Sequence, residues 1–426
     1  MTGSIDRTRT TRGILVVVFL LLACGVFIHR GPVRALGRDS PDLKRIYAST
    51  RGWLYQVNPY AMDALSPVLT DGGLEPPKAQ SSDRPWVLVY LPTTFTFLWP
   101  LAALPWPVAR LVCLVANILL VPMVIYCVAK EAGLKRNALT TWLFVGGTLA
   151  MAPLHANLSM GQLALFILFL VAVSQRCIST QHPVIAGCLL GVATAIKPQL
   201  AGLFLAYQVY RGQWRCGVAA CAVIAGAGVI GVGWMTINGV TWLPVLQGNV
   251  AAFASDRASA GPEGSLAFHL VNLHYLFHAF SDNAVVVNMS VYLVAALLGG
   301  ILLYYHHRSR RQENELVAMA MIGLLSLLVV YHRIYDALLL VFALAVCARA
   351  IRDGCRPVCW IMALSLATFF TPGGALLNEL HRSYGMPAWV TGGWWWRCLV
   401  MPHQIWGLLV SGFCLIAIMS RSITDK

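Results

Sequence analysis

The sequence predicts an all-α polytopic membrane protein of about twelve transmembrane helices, with a long first extracytoplasmic loop that carries interfacial helices. Three observations predict it. Of 426 residues, 58% are hydrophobic and 11% charged, where a soluble domain carries about 25% charged residues. The mean hydropathy is +0.68. The apolar residues gather into segments near bilayer-crossing length, and the basic residues fall in short clusters between them. A net charge of +14 could suit nucleic acid, but this clustered placement is that of cytoplasmic loops beside anionic headgroups, so no nucleic-acid partner is expected. The 12 cysteines show no metal-ligand spacing and mostly sit inside apolar runs as small hydrophobes, so neither a metal site nor a disulfide framework is expected.

In chain order, residues 1–12 are polar and basic, and 13–29 are apolar. They read as a first span with the N-terminus inside. A signal peptide is disfavoured because HRGPVR follows, not a small-residue cleavage site. Residues 30–85 form a polar loop placed outside. Within it, Ser40 reads as a helix N-cap, Pro41 as the first helical position and Asp42 as a first-turn acid. A carboxylate there faces the positive end of the helix dipole, reinforced by Arg38, Lys44 and Arg45. The tract LTDGGLEPPKAQSSDRP reads as irregular and mobile.

Residues 86–104 are apolar but broken by Pro92 and Pro100. If they crossed, Lys130, Lys135, Arg136 and every later basic cluster would lie outside. The charge rule therefore lays 86–104 in or on the outer leaflet, which makes 30–106 the first extracytoplasmic loop. Spans follow at 107–129, then at 138–154 and 159–175 around an outer connection HANLSMGQ. Residues 184–210 read as two short helices meeting at Ile196-Lys197-Pro198-Gln199 on the outer side, because the proline breaks the run. A Gly-rich span at 216–237 leads to a second large extracytoplasmic loop, 238–283. Spans at 284–305, 314–330, 336–350, 357–371 and 399–419 complete a single integral membrane domain, 1–426, with both termini cytoplasmic.

The residues that could carry chemistry are polar groups at outer span ends: Asp39 and Asp42; Tyr90; His155, Asn157 and Gln162; Lys197; and His332, Arg333, Tyr335 and Asp336. Ionisable groups at membrane depth are costly and usually functional. Each has a plainer reading. Asp42 suits an ordinary helix N-terminus, Lys197 a snorkelling side chain, Gln162 a cap region, and His332-Arg333 a polar turn. His306 and His307 with Arg308, Arg310 and Arg311 read as headgroup anchors, and Trp394 to Trp396 as an aromatic belt. One carboxylate with cations, amides and hydroxyls suits phosphate and sugar together. No Walker loop or dinucleotide fingerprint is present. An enzyme acting outside the cell, where nucleotide sugars are absent, would need a lipid-linked donor. A transporter or flippase for a lipid-linked or anionic solute, and an O-antigen-type ligase or polymerase, are the competing readings.

The order of these motifs resembles the polyprenyl-phosphate-sugar-dependent glycosyltransferases of the GT-C class, in the branch of the mycobacterial phosphatidylinositol-mannoside α-1,2-mannosyltransferase. The resemblance is carried by Asp42-Leu43, Tyr47, Asn58-Pro59-Tyr60, Tyr90-Leu91-Pro92, Pro100-Leu101, Leu104-Pro105, Asn157-Leu158, Gly161-Gln162, Gly191 through Lys197-Pro198, Tyr331-His332 and Tyr335-Asp336. The chain departs from it with Leu91 where the family has proline, and with Leu163-Ala164 where Val-Asn commonly follows Gly-Gln. The resemblance implies a GT-C-like bundle at the bacterial inner (plasma) membrane. It implies inverting transfer of a hexosyl group, mannosyl in that branch, from a polyprenyl-phosphate donor to a glycan or glycolipid acceptor on the periplasmic face. By it, Asp42 is the general base, with Asp39 the runner-up. Lys197, His332 and Arg333 would bind the donor phosphate. Tyr47, Tyr60, Tyr90, Asn157, Gln162, Tyr335 and Asp336 would bind sugar or acceptor. No cofactor or metal is implied.

Overall fold

The computed structural model describes residues 2–75, 87–136, 138–255, 267–309, 315–354 and 357–424. Of the described residues 82% are helical, and the only strand-like pairing among them is one antiparallel bridge between Leu270 and Arg333. Six described helices are long and apolar enough to cross a bilayer: Gly13–Gly37, Trp106–Glu131, Trp214–Ile237, Ala284–Tyr305, Ile334–Arg352 and His403–Ser420. Two bent helix pairs would bring the number to 8. Leu139–Ala150, Pro183–Ile196, Leu243–Phe253 and Glu315–Val329 are apolar but shorter. These helices leave large apolar side chains bare, such as Val229 at 73% and Leu293 at 71% exposure. Continuous apolar faces of this kind suit lipid rather than water, as in a polytopic membrane protein.

One compact unit comprises Arg34–Pro122 and Asn157–Ala267. Its core joins the Pro41–Leu54 helix (Leu43, Tyr47, Ala48, Trp53) to Leu65 and Leu69 of Met62–Asp71, Phe95 of Pro92–Ala102, Trp106, Met235 and Leu246. The described part of the first polar loop is therefore a packed structure. The expected irregular tract at 69–85 is corrected in its first part: Leu69 is helical, and Leu69 and Leu74 are fully buried. Residues 76–86 of that tract lie outside the described residues. Arg51 staples the segment, donating to Val68 O and Ala102 O at 2.8 Å each and pairing with Asp71 at 3.2 Å. The Pro92–Ala102 helix has 11 residues, which at 1.5 Å per residue gives about 16 Å, roughly half a bilayer core. Gly187 and Gly191 let the Pro183–Ile196 helix meet Trp214–Ile237 at backbone distance: a Cβ on Gly187 would lie 2.2 Å from Cys216 O. Small residues four apart are what close helix contact in a membrane needs.

The expected spans at 138–154 and 159–175 are recut. The helices are Leu139–Ala150, Ala152–Met160 and Ala164–Ser179, and the last two meet at 120°. Most of the presumed connection HANLSMGQ is thus helical. Pro153 lacks the N–H that would continue the preceding helix, and Gly161, at φ +69°, turns the chain out of the next.

The other unit comprises Met1–Val33, Met123–Ala156 and Phe268–Lys426. Here the expected polar turn at 331–336 is packed inside. Val271 N–H donates to His332 O at 3.1 Å, and Asn272 Nδ2 to Val330 O at 3.3 Å. The span expected at 336–350 begins as a 3-10 helix, Ile334–Leu340, before the α-helix Val341–Arg352. Arg352 Nη1 then reaches Gly133 O at 2.6 Å. Gly146 makes room for Phe19: a Cβ there would lie 2.5 Å from the ring.

Candidate active site

The site grows from the start of the Pro41–Leu54 helix. Pro41 suits the first turn, where its missing N–H would have had no partner. Ser40 stands at the N-cap position, but in a left-handed conformation (φ 45°, ψ 62°), and its hydroxyl does not cap the helix. This corrects the expected capping role: the backbone turn at Ser40 orients its side chain elsewhere. Asp42 follows at the positive end of the helix dipole. It is 4% exposed. A carboxylate so buried needs partners. Gln162 Nε2 donates to Oδ2 at 2.7 Å, and Arg45 Nη1 to Oδ1 at 3.2 Å.

Gln162 reaches Asp42 because Gly161 lets two backbone turns touch. A Cβ at Gly161 would lie 2.7 Å from Leu43 Cβ and 3.0 Å from Ser40 Cβ. Asn157 fixes the bend from beneath. Its carbonyl accepts from Gln162 N–H at 2.9 Å, and its Oδ1 accepts from Leu165 N–H at 3.1 Å. That second bond satisfies a donor at the start of Ala164–Ser179, one of those left over where a helix begins.

The far end of the same amide meets a cation: Lys197 Nζ donates to Gln162 Oε1 at 3.2 Å. Lys197 is buried where Pro183–Ile196 stops and Pro198–Tyr210 starts. Pro198 pushes it out of helical conformation (φ −139°, ψ 81°). The break leaves helix-end carbonyls, and two hydroxyls take them up. Thr93 donates to Ala195 O at 2.6 Å and Thr94 to Ile196 O at 3.2 Å. One primary amide therefore stands between a carboxylate and an ammonium group. Only one amide orientation satisfies both, because the flipped one would set oxygen against oxygen and N–H against N–H. A carboxylate offers about four lone-pair sites, and the two bonds from Gln162 and Arg45 leave room to accept another proton.

The other expected residues fall as follows. Asp39 is mostly exposed and ion-paired with Lys44, whose amine is held below the usual lysine range by burial and then by Arg110. Tyr47 donates to Leu104 O at 2.8 Å, and Tyr60 to Tyr90 O at 2.7 Å. Both rings are fully buried, and burial pushes the Tyr60 phenol far above its ordinary value. Tyr90 packs partly buried against the same core. Asn157 has no exposed surface. These side chains shape the scaffold around Asp42 and face its interior.

The other unit holds a second buried cluster. His332 Nδ1 meets Asp336 Oδ2 at 2.9 Å, which assigns that nitrogen the proton. His332 Nε2 has no hydrogen-bond partner among the described residues. Arg333 bonds the Tyr331 hydroxyl and lies 5.7 Å from its ring centroid, and Tyr335 is buried. His155 is buried too, with Nε2 2.7 Å from Leu149 O. Among the described residues no three His, Cys, Asp or Glu side chains come together to hold a metal ion.

Of the three cations expected to favour an ionised Asp42, Arg45 is the one that bonds it, as its spacing three residues on along the same helix face allows. The stretch Tyr90 to Thr96 is expected beside the Asp42 loop, but nothing in its local sequence points Thr93 and Thr94 to carbonyls 102 residues away.

Residues 88–331, more than half of the chain, match the family model of glycosyltransferase family 87. The matched stretch contains Gln162 and Lys197, and Asp42 precedes it. No curated protein and no solved structure matches the chain.

Proposed function

The chain belongs to glycosyltransferase family 87, and from that premise we propose that it moves a hexosyl group from a polyprenyl-phosphate donor onto a glycan or glycolipid hydroxyl, with inversion. The resemblance to the mannosyltransferase branch favours mannose. The observation that carries the mechanism is the buried carboxylate of Asp42, joined through Gln162 to Lys197.

In this reading Asp42 takes the proton of the acceptor hydroxyl as that oxygen bonds to the anomeric carbon. The bond from the anomeric carbon to the phosphate oxygen breaks, and its electron pair leaves with the polyprenyl phosphate. A phosphate needs little acid assistance to depart, so one carboxylate suffices. The charge that grows on the leaving group needs a cation, and Lys197 supplies it. His332 and Arg333 are assigned to donor-phosphate binding, and Tyr335 and Asp336 to sugar or acceptor, on the sequence resemblance alone. Asp39, exposed and paired with Lys44, is the weaker candidate for base.

The basic clusters support a bacterial inner-membrane protein with about twelve spans, cytoplasmic termini and a periplasmic site. Family membership favours group transfer over the transporter and flippase readings. The test is Asp42→Asn in isolated membranes supplied with a polyprenyl-phosphate sugar and acceptor. Transfer is expected to fall about 10²- to 10⁴-fold, the usual contribution of a positioned base. Activity near that of the unaltered enzyme would remove Asp42 from the mechanism.

A further inference from the structure

Resting on that reading, we infer that Gln162 is a positioning residue for the Asp42 base, held in register by Lys197, and not a contact to the transferred sugar. An amide presents a donor end and an acceptor end of nearly equal size, so by itself it would not decide which faces the carboxylate. Lys197 decides it. The ammonium at 3.2 Å accepts nothing, so Oε1 must turn toward it and Nε2 toward Asp42 Oδ2, 2.7 Å away. The backbone leaves no slack. Gly161 is pinned against Leu43 and Ser40, and Gln162 N–H is tied to Asn157 O. Gln162 itself is buried, and both ends of its amide are engaged within the protein.

The consequence for the base is electrostatic. A hydrogen bond donated to a carboxylate favours its charged form. Gln162 supplies that bond without placing a second formal charge against Asp42, while the amide keeps Lys197 at a distance from the oxygens that must accept the proton. Gln162 thus acts on the proton transfer through Asp42, and an acceptor would sense it through rate more than through affinity.

Gln162→Glu tests this at constant size. The new carboxylate keeps its partner in Lys197 but meets Asp42 with like charge and no N–H. The acid limb of the kcat/KM profile is expected to move up by at least about one pH unit, because Asp42 then gains its proton at higher pH. Gln162→Leu removes both bonds. Here kcat is expected to fall roughly 10- to 100-fold, the worth of a hydrogen bond to a charged group, with the acceptor and donor KM values unchanged. A raised KM with an unmoved acid limb would make Gln162 a substrate contact and overturn the inference. If Gln162→Glu does not yield a monodisperse protein in detergent, Gln162→Asn, one methylene shorter, is read by the same split between kcat and KM. The underlying mechanism is judged separately. If Asp42→Asn retains activity, the base is wrong. If Asp42→Asn is inactive while Gln162→Glu leaves the acid limb in place, the base stands and the role given to Gln162 falls.

Discussion

Replacing Gly161 with alanine isolates the contact on which the site geometry depends. Two costs arise. The first is conformational: Gly161 has φ +69°, and a left-handed residue with a Cβ pays about 1–2 kcal/mol. The second is steric. The new Cβ would lie 2.7 Å from Leu43 Cβ and 3.0 Å from Ser40 Cβ, where carbon atoms rest at about 3.5–4.0 Å. Both neighbours are near-backbone atoms of a packed helix start, so neither can rotate away. Overpacking of this kind costs about 1–3 kcal/mol. Gly212 provides the control, since it has φ +79° and nothing within 4 Å of its would-be Cβ. Gly212→Ala pays only the first cost, and Gly161→Ala pays both. In detergent, Gly161→Ala should therefore melt several degrees below Gly212→Ala, at about 2–4 °C per kcal/mol for a unit of some 150–250 residues. Relief of the clash must also draw Gln162 away from Asp42. A displacement of about 1 Å at a catalytic group costs on the order of 100-fold in rate, so transfer should fall in Gly161→Ala and persist in Gly212→Ala. Equal melting of the two variants, with activity retained in both, would refute the close approach as the source of the geometry.

Two further outcomes follow from other parts of the structure. Asn157→Ala removes the acceptor of the Leu165 N–H and strands a buried donor, at a cost of about 1–3 kcal/mol; the lower melting temperature should come with weaker transfer, because the lost side-chain bond loosens the start of the helix directly after Gln162, and a variant as stable and active as the parent would refute it. At high pH the folded protein should lose stability from about pH 10 upward. Burial raises the Tyr275 phenol to about 12, so above the ordinary phenol value of 10.0 the unfolded chain releases its proton first and is favoured as pH rises toward 12. Tyr275→Phe should flatten the melting temperature between those two pH values, and an unchanged slope would exclude Tyr275 as a contributor.

What could be read from the sequence was what leaves a local mark. Lys197-Pro198 marks a broken helix because proline constrains the residue before it, and the break lies where expected. Pro41 and Asp42 mark a helix start in the same way. The 120° bend before Ala164 left no such mark. Hydropathy averages over the turn, and although Gly161-Gln162 belongs to the motif set, nothing local marks Gly161 as the point of contact with Leu43 and Ser40. Ser40 looks like a cap in sequence and is a strained turn in three dimensions. The pairing of Asp42 with Gln162, 120 positions apart, depends on both of those turns at once, so no local pattern encodes it.

The use of an amide between the two charges has a physical reason. A lysine bonded directly to Asp42 would occupy the lone pairs that must receive the acceptor proton and would arrive at the leaving phosphate already neutralised. Gln162 bonds both the carboxylate, which already pairs with Arg45, and the ammonium group without adding a charge of its own. In the proposed reaction the base and the electrophilic cation are needed in the same transition state, and a neutral spacer is the arrangement that lets both be present without cancelling one another.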